Sequence, residues 1–375
     1  MKELSGKLLK GDKMIWTIMI VLSFISIVVV YSAIEALPIR HDNTSTTKLI
    51  LRHAGFLSIG FLMAIFVHRI PNNYFSNLSI LFVALSLVLL VLTLIFGETD
   101  DEATRRLKIL GISFQTSDLA KFAMIMFIAR ILSKNQHDMG NYKKVIVPIL
   151  AILLPMCGLI LPSNLSTAAL LFLASIILMF IGNVRYKHLF VLFSTIIGTL
   201  LLISVVSRPF TDKFRIETWI NRVVDFYENM DGNIQVRQAK TAVVSAGVFG
   251  KGPGNGTQRS FLPEAQSDYV YAMIVEEYGI FGSAFVFFIY IVLLYRAGVI
   301  LRRCPHHFGG LLAAGLSISL VLQAMVNIAV SLSMMPVTGQ TLPLISMGGT
   351  SIIFTSASLG IILSVSNSPR KIEKI

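Results

Sequence analysis

Residues 76–96 read SNLSILFVALSLVLLVLTLIF. No charged side chain interrupts these 21 positions. A helix rising about 1.5 Å per residue carries such a run across the roughly 30 Å of hydrocarbon in a bilayer. Comparable runs recur along nearly the whole chain and predict about ten spans, at 14–36, 49–68, 76–96, 116–132, 145–161, 167–183, 188–206, 268–300, 308–334 and 345–366. Composition agrees: of 375 residues 54% are hydrophobic and 14% charged, and the mean hydropathy is +0.74. The expected class is an all-α polytopic membrane protein, a single transmembrane domain over residues 1–375. One long loop, 207–267, separates spans seven and eight. The fourth and fifth runs are short, and the fourth carries Asp118 and Lys121, which predicts packing inside the bundle instead of against lipid.

Orientation follows from charge. Lys2, Lys7, Lys10 and Lys13 precede an apolar run without a small-residue cleavage site, so the first run reads as a retained helix. With the amino terminus inside, the inner loops and tails hold most of the Lys and Arg, among them Lys143, Lys144, Arg302, Arg303, Arg370 and Lys371. Both termini are then cytoplasmic, and the 207–267 loop lies outside. The net charge of +12 reflects this bias. No basic helix or aromatic platform points to nucleic acid. Two cysteines, Cys157 and Cys304, sit at different predicted depths, and seven histidines are scattered without ligand spacing, so no zinc site is implied.

Ionisable groups at bilayer depth are costly and mark functional sites. Asp268, Glu276 and Glu277 fall where the long loop enters span eight, with Glu264 just before them. On a continuous helix Glu276 lies about 80° around from Asp268 and about 12 Å deeper, and Glu277 lies on the opposite face. Asp268 is therefore the candidate for chemistry, Glu276 for a cavity wall and Glu277 for an interhelical contact. On the same side, Arg105 and Arg106 precede Asp118 and Lys121, an i, i+3 pair that either fixes helix register or lends Lys121 to the arginines as a diphosphate-binding set. Asn327 precedes MPVTGQTLPLISMGGTS, residues 335–351, whose prolines and glycines predict a non-helical element that allows close backbone approach or tight helix packing. The run GVFGKGPGNGT, residues 247–257, fails the P-loop pattern; it reads as an anion-facing external loop or a turn-rich connector. Residues 239–249 within the long loop have helical periodicity and predict an amphipathic or re-entrant helix.

Several stretches together carry a resemblance. Leu262-Pro263-Glu264-x-x-x-Asp268, Glu276-Glu277-x-Gly279, Gln115-x-Ser117-Asp118-x-x-Lys121 and Pro336-x-Thr338-Gly339-x-x-Leu342-Pro343-x-x-Ser346-x-Gly348-Gly349 resemble the SEDS family (shape, elongation, division and sporulation). The similarity extends over nearly the whole chain. It implies a ten-helix peptidoglycan glycosyltransferase of the bacterial cytoplasmic membrane, one that polymerises lipid II into glycan strands outside the membrane. The implied partners are a class B penicillin-binding protein and other division or elongation membrane proteins. Leu344 tilts the resemblance toward the division members. Asn164 stands where the family commonly has an acid, and Asp118 where it has Glu.

Polymerisation is a substitution at an anomeric carbon: a sugar 4-hydroxyl displaces polyprenyl diphosphate with inversion. It needs a proton acceptor and cations on the leaving group. Asp268 is the candidate base. Arg105, Arg106, Lys121, Asp118, Glu264, Glu276, Ser346, Gly348 and Gly349 are the candidate substrate-binding set, with Glu264 a candidate to order Asp268 or hold a divalent cation. A lipid flippase or a non-enzymatic division scaffold stays open as an alternative, although no inverted repeat of interrupted helices favours transport.

Overall fold

The apolar runs fold as helices, and their boundaries follow local chain chemistry. The computed structural model describes residues 10–35, 46–100, 103–109, 112–194, 198, 222, 224, 226, 227, 234–261, 266–304 and 306–367. Helices α1 (Lys13–Glu35), α2 (Thr46–Val67) and α3 (Asn72–Phe96) lead into strands β1 (Glu98–Asp100), β2 (Ala103–Ile109) and β3 (Ile112–Gln115). Then follow α4 (Thr116–Lys134), α5 (Tyr142–Ile160), α6 (Leu165–Ile181), α7 (Ile234–Ser245), α8 (Val270–Arg303), α9 (His307–Ser331) and α10 (Thr350–Ser366). Asn141 and Asn164 cap α5 and α6, their side chains accepting from the Lys144 and Thr167 N–H groups at 3.3 and 3.1 Å. An Asn cap serves about as well as an Asp cap. The missing acid at Asn164 therefore leaves this helix start intact.

Among the described residues six helices, α1, α2, α3, α5, α8 and α9, are long and apolar enough to cross a membrane, and α6 and α10 are shorter apolar helices. The chain is a multi-pass membrane protein. Nine of the expected spans coincide with helices to within a few residues; the seventh, 188–206, lies mostly outside the described residues, of which 186–194 are helical. Leu81, Leu85, Val88, Leu92 and Ile95 stay exposed along α3, as a lipid-facing stripe should. At the opposite extreme, α4 is buried at every position from Thr116 to Ala129 except Phe122, which is half-buried. Its charged pair thus sits inside the bundle, where hydrophobicity alone does not place a helix.

Small residues set the closest helix contacts. Gly60 and Ala64 of α2 face Ser356 and Gly360 of α10, and a Cβ on Gly360 would lie 2.9 Å from the Ala64 backbone. A small-xxx-small pattern on both helices lets the backbones approach, the usual means of association where lipid removes the hydrophobic drive.

The structure differs from the sequence reading in three places. The segment before α4 forms an antiparallel sheet in the order β1–β2–β3. Leu107 and Ile109 alternate there with Arg106 and Lys108, a period of two too short to stand out beside the long helical runs. Within the long loop, α7 is helical but shifted from the expected 239–249: it begins at Ile234 and ends at Ser245, with Ala239 and Ala242 buried and residues 246–249 outside the helix. Helix α8 breaks at Gly279, whose φ of 66° and ψ of −163° belong to a region essentially reserved for glycine.

Candidate functional site

Chain direction brings the starts of α4, α6, α8 and α10 and the end of α9 to one end of the bundle, and hydrogen bonds tie them together. Thr116 accepts from Thr93 at 3.0 Å, and the Gln115 N–H donates to Thr350 Oγ1 at 3.3 Å. Gln340 donates to Thr167 Oγ1 at 2.7 Å. Asp268 lies in this cluster, half-buried in the turn that precedes α8.

That turn is held by its backbone. The Met347 N–H donates to the Gln266 carbonyl at 2.8 Å, Ser346 Oγ to the Ser267 carbonyl at 2.6 Å, and Asn327 Nδ2 to the Asp268 carbonyl at 2.8 Å. Three successive carbonyls are thus fixed by α9 and the 336–349 element. Asn327 also donates to the Gln340 carbonyl at 2.6 Å, and Ser346 Oγ accepts from the Leu342 N–H at 2.8 Å. The non-helical element is in turn anchored by Tyr290, which donates to the Pro343 carbonyl at 2.6 Å, and by Ser26, which donates to the Ile345 carbonyl at 2.7 Å. Buried hydroxyls and amides paired in this way hold the turn's geometry, with Asn327 Oδ1 the group at its centre that has no hydrogen-bond partner among the described residues. Ser346 therefore faces the Asp268 turn, with its hydroxyl fully engaged. Gly349, at φ 51° and ψ −113°, starts α10 in a conformation that suits glycine, and a Cβ on Gly348 would meet Ser351 at 3.1 Å.

Lys121 is buried and bonded twice, to Asp118 Oδ1 at 2.8 Å and to Gln323 Oε1 at 2.7 Å. Gln323 continues to the Thr341 carbonyl at 2.9 Å. Gln323 and Asn327 stand one turn apart on α9, about 6 Å along its axis. The Lys121 network and the Asp268 turn are consequently neighbours along one helix face. Asp118 Oδ2 has no hydrogen-bond partner among the described residues, and it lines a small cavity with Ser351 and Thr355. The backbone of Arg106 pairs with Gln115, the residue before α4. The side chains of Arg105 and Arg106 lie outside the described residues, as does Glu264 and with it the candidate cation ligand.

The two glutamates of α8 do different work from that expected of Glu276. Glu276 is fully buried, and its Oε1 accepts from Lys251 Nζ at 2.6 Å, Thr257 N at 2.9 Å, Thr257 Oγ1 at 3.0 Å and Gln258 N at 3.2 Å. Its oxygens bind the glycine-rich loop instead of lining an open cavity. That loop is an anion cradle, as its glycines suggest, but the anion is the chain's own carboxylate. The Lys251 and Gly252 N–H groups bond the Glu276 and Glu277 carbonyls, both at 2.9 Å. These are carbonyls the helix break at Gly279 leaves open. A Cβ on Gly250 would lie 2.3 Å from the Glu277 oxygen, and one on Gly279 would lie 2.3 Å from the Val248 oxygen. Loop and broken helix interlock only because both positions are glycine. Glu277 meets α1, where Ser32 donates to its carboxylate and Arg259 donates to the Ser32 carbonyl at 3.0 Å.

Comparison with known proteins agrees with this architecture. The FtsW/RodA/SpoVE family profile, described as a cell cycle protein, matches residues 12–371. A probable peptidoglycan glycosyltransferase FtsW of Idiomarina loihiensis is 28% identical over 365 residues, which cover 96% of this chain and 88% of that protein. In a solved structure on the coordination of polymerization and crosslinking by a peptidoglycan synthase complex, one chain superposes with a TM-score of 0.74 at 23% identity, covering 95% of this chain and 97% of its own. The rod shape determining protein RodA of Thermus thermophilus superposes with a TM-score of 0.67 at 23% identity, over 95% and 96% of the two chains. At that identity the two structures speak for the fold alone.

Proposed function

Because the chain belongs to the FtsW/RodA/SpoVE family of cell cycle proteins, we propose that it is an inverting peptidoglycan glycosyltransferase that polymerises lipid II on the external face of the cytoplasmic membrane. The reading puts both termini in the cytoplasm and the Asp268 end of the bundle outside. The 4-hydroxyl oxygen of one lipid-linked disaccharide attacks the anomeric carbon of the growing strand. The bond from that carbon to the diphosphate oxygen breaks, and the hydroxyl proton passes to the Asp268 carboxylate.

The observation that carries this reading is the turn with its three fixed carbonyls, which presents Asp268 at the meeting point of five helix ends. A base held within a fraction of an ångström supplies rate through position, so it need not be strongly basic. Ser346, Asn327, Gly348 and Gly349 position it. The leaving diphosphate falls to Arg105, Arg106 and the third N–H of Lys121, since cations in a dry site stabilise developing negative charge best. A class B penicillin-binding protein is the partner that the family resemblance implies, in keeping with the origin of one chain of similar fold, a peptidoglycan synthase complex that coordinates polymerization and crosslinking.

The test is polymerisation of lipid II by the purified protein, alone and with candidate class B penicillin-binding proteins, with the linkage of the product read by NMR. Glycan strands with inverted linkage are expected. Failure with every partner, accompanied by movement of lipid II across liposomes, would replace this reading with a flippase.

A further inference from the structure

At the opposite end of the bundle, where α1 begins and α8 and α10 finish, a crevice of about 380 Å³ opens between the three helix ends. That volume falls within the range of small-ligand sites. Its floor is built. Asp12 accepts from the Met14 N–H through Oδ1 at 2.9 Å and pairs through Oδ2 with Arg296, whose Nε lies 2.9 Å away. The Asp12 N–H donates to Ser366 Oγ at 2.9 Å, which ties the start of α1 to the end of α10. The single carboxylate in the lining is thereby neutralised within the floor.

Two further cations on the lining, Lys13 and Arg303, are exposed and have no carboxylate within ion-pair distance among the described residues. The crevice thus carries two uncompensated positive charges. Met14 and Val299 give the same lining an apolar side. Lys13 and Arg303 are terminal residues of membrane-length helices, so the crevice sits at the edge of the hydrocarbon layer.

We propose that this crevice is a binding site for a phosphate anion, with the headgroup of an anionic phospholipid as its source. Lys13 and Arg303 take the phosphate oxygens, Arg296 closes the floor, and the Met14–Val299 side packs on the glycerol and first methylenes. Basic pockets between transmembrane helices select such headgroups, and the crevice lies at the end that the Lys/Arg bias assigns to the cytoplasm. The site is remote from Asp268, and the proposal does not depend on the glycosyltransferase reading.

The experiment is native mass spectrometry of the full chain in uncharged detergent, with dioleoylphosphatidylglycerol, dioleoylphosphatidylcholine and inorganic phosphate as probes. Wild type retains phosphatidylglycerol over phosphatidylcholine. The double variant Lys13→Gln/Arg303→Gln loses roughly 25-fold in that retention, about fivefold for each cation. The charge-keeping variant Lys13→Arg/Arg303→Lys retains it, as does Lys134→Gln/Lys143→Gln, which removes cations elsewhere. If millimolar phosphate displaces phosphatidylglycerol from wild type but has no binding in the double variant, the same site serves a soluble phosphate as well. Equal retention of both lipids, or undiminished phosphatidylglycerol in the Lys13/Arg303 double variant, overturns the proposal.

Discussion

Replacing Glu276 should release the glycine-rich loop, and the size of the effect can be worked from its contacts. Glu276→Ala deprives Lys251 Nζ, the Thr257 and Gln258 N–H groups and the Thr257 hydroxyl of one common acceptor. Removing one partner of a buried ion pair costs about 3–5 kcal/mol. Lys251 is 26% exposed and regains water, which places the cost near the lower end, about 3 kcal/mol. Lys251→Ala leaves the fully buried Glu276 carboxylate with only its Thr257 and Gln258 donors and no cation, so it should cost a similar amount, about 3 kcal/mol. The assay is chymotrypsin cleavage at Phe249 within the loop and Phe261 just after it, under conditions where the rate follows the population of the open form. Each 1.4 kcal/mol is tenfold, so Glu276→Ala and Lys251→Ala should each be cut about a hundredfold faster than wild type. Wild-type protection in either variant would refute the clamp.

Other outcomes follow from the same contacts. Gly279→Ala combines about 1–3 kcal/mol of backbone strain with a Cβ 2.3 Å from the Val248 oxygen, so it should open the loop as Glu276→Ala does and lower thermal stability in detergent. Ser346→Ala leaves the Leu342 N–H and the Ser267 carbonyl unpaired at about 1–3 kcal/mol; polymerisation assays should show kcat down roughly tenfold or more with KM little changed. Gln323→Ala leaves Lys121 to Asp118 alone, and weaker binding of the lipid-linked donor is expected in a direct binding assay; unchanged binding would separate Lys121 from the diphosphate. Between α4 and α5, Lys144 holds the Asp138 carboxyl below its ordinary value through a hydrogen bond and charge at 2.6 Å. A lowered folded-state value means that the pair's contribution is present above the ordinary carboxylate range and lost as pH falls through the lowered value. Lys144→Ala should raise the Asp138 titration midpoint in carbon-13 NMR.

The sequence made the membrane architecture legible because a run such as 76–96 has one physical solution in a bilayer. It also placed α4 inside the bundle, since Asp118 and Lys121 have no good position against lipid. The break at Gly279 was hidden, because one glycine in an apolar helix costs little and nothing local shows that a loop some thirty residues earlier will occupy the gap. For the same reason Glu276 read as cavity lining: its true partners, Lys251, Thr257 and Gln258, are identifiable only once the loop is folded back. Gln323 gave no signal at all, being a lone amide in a buried helix whose meaning comes from Lys121 across the packing. Asn327 did stand out, as the residue of span nine that leads into the Pro/Gly-rich element, and it proves to hold the Asp268 carbonyl.

The central claim is that Asp268 accepts the proton of the attacking hydroxyl, and Asp268→Asn tests it most directly. This variant keeps the size of the side chain and leaves the Asn327, Ser346 and Met347 contacts to the turn untouched, since they reach backbone carbonyls. Turnover of lipid II by the purified protein with its partner should fall by about 10²–10⁴, while binding of the lipid-linked donor, measured on the same preparation, stays at the wild-type level. Wild-type polymerisation by Asp268→Asn would contradict the account.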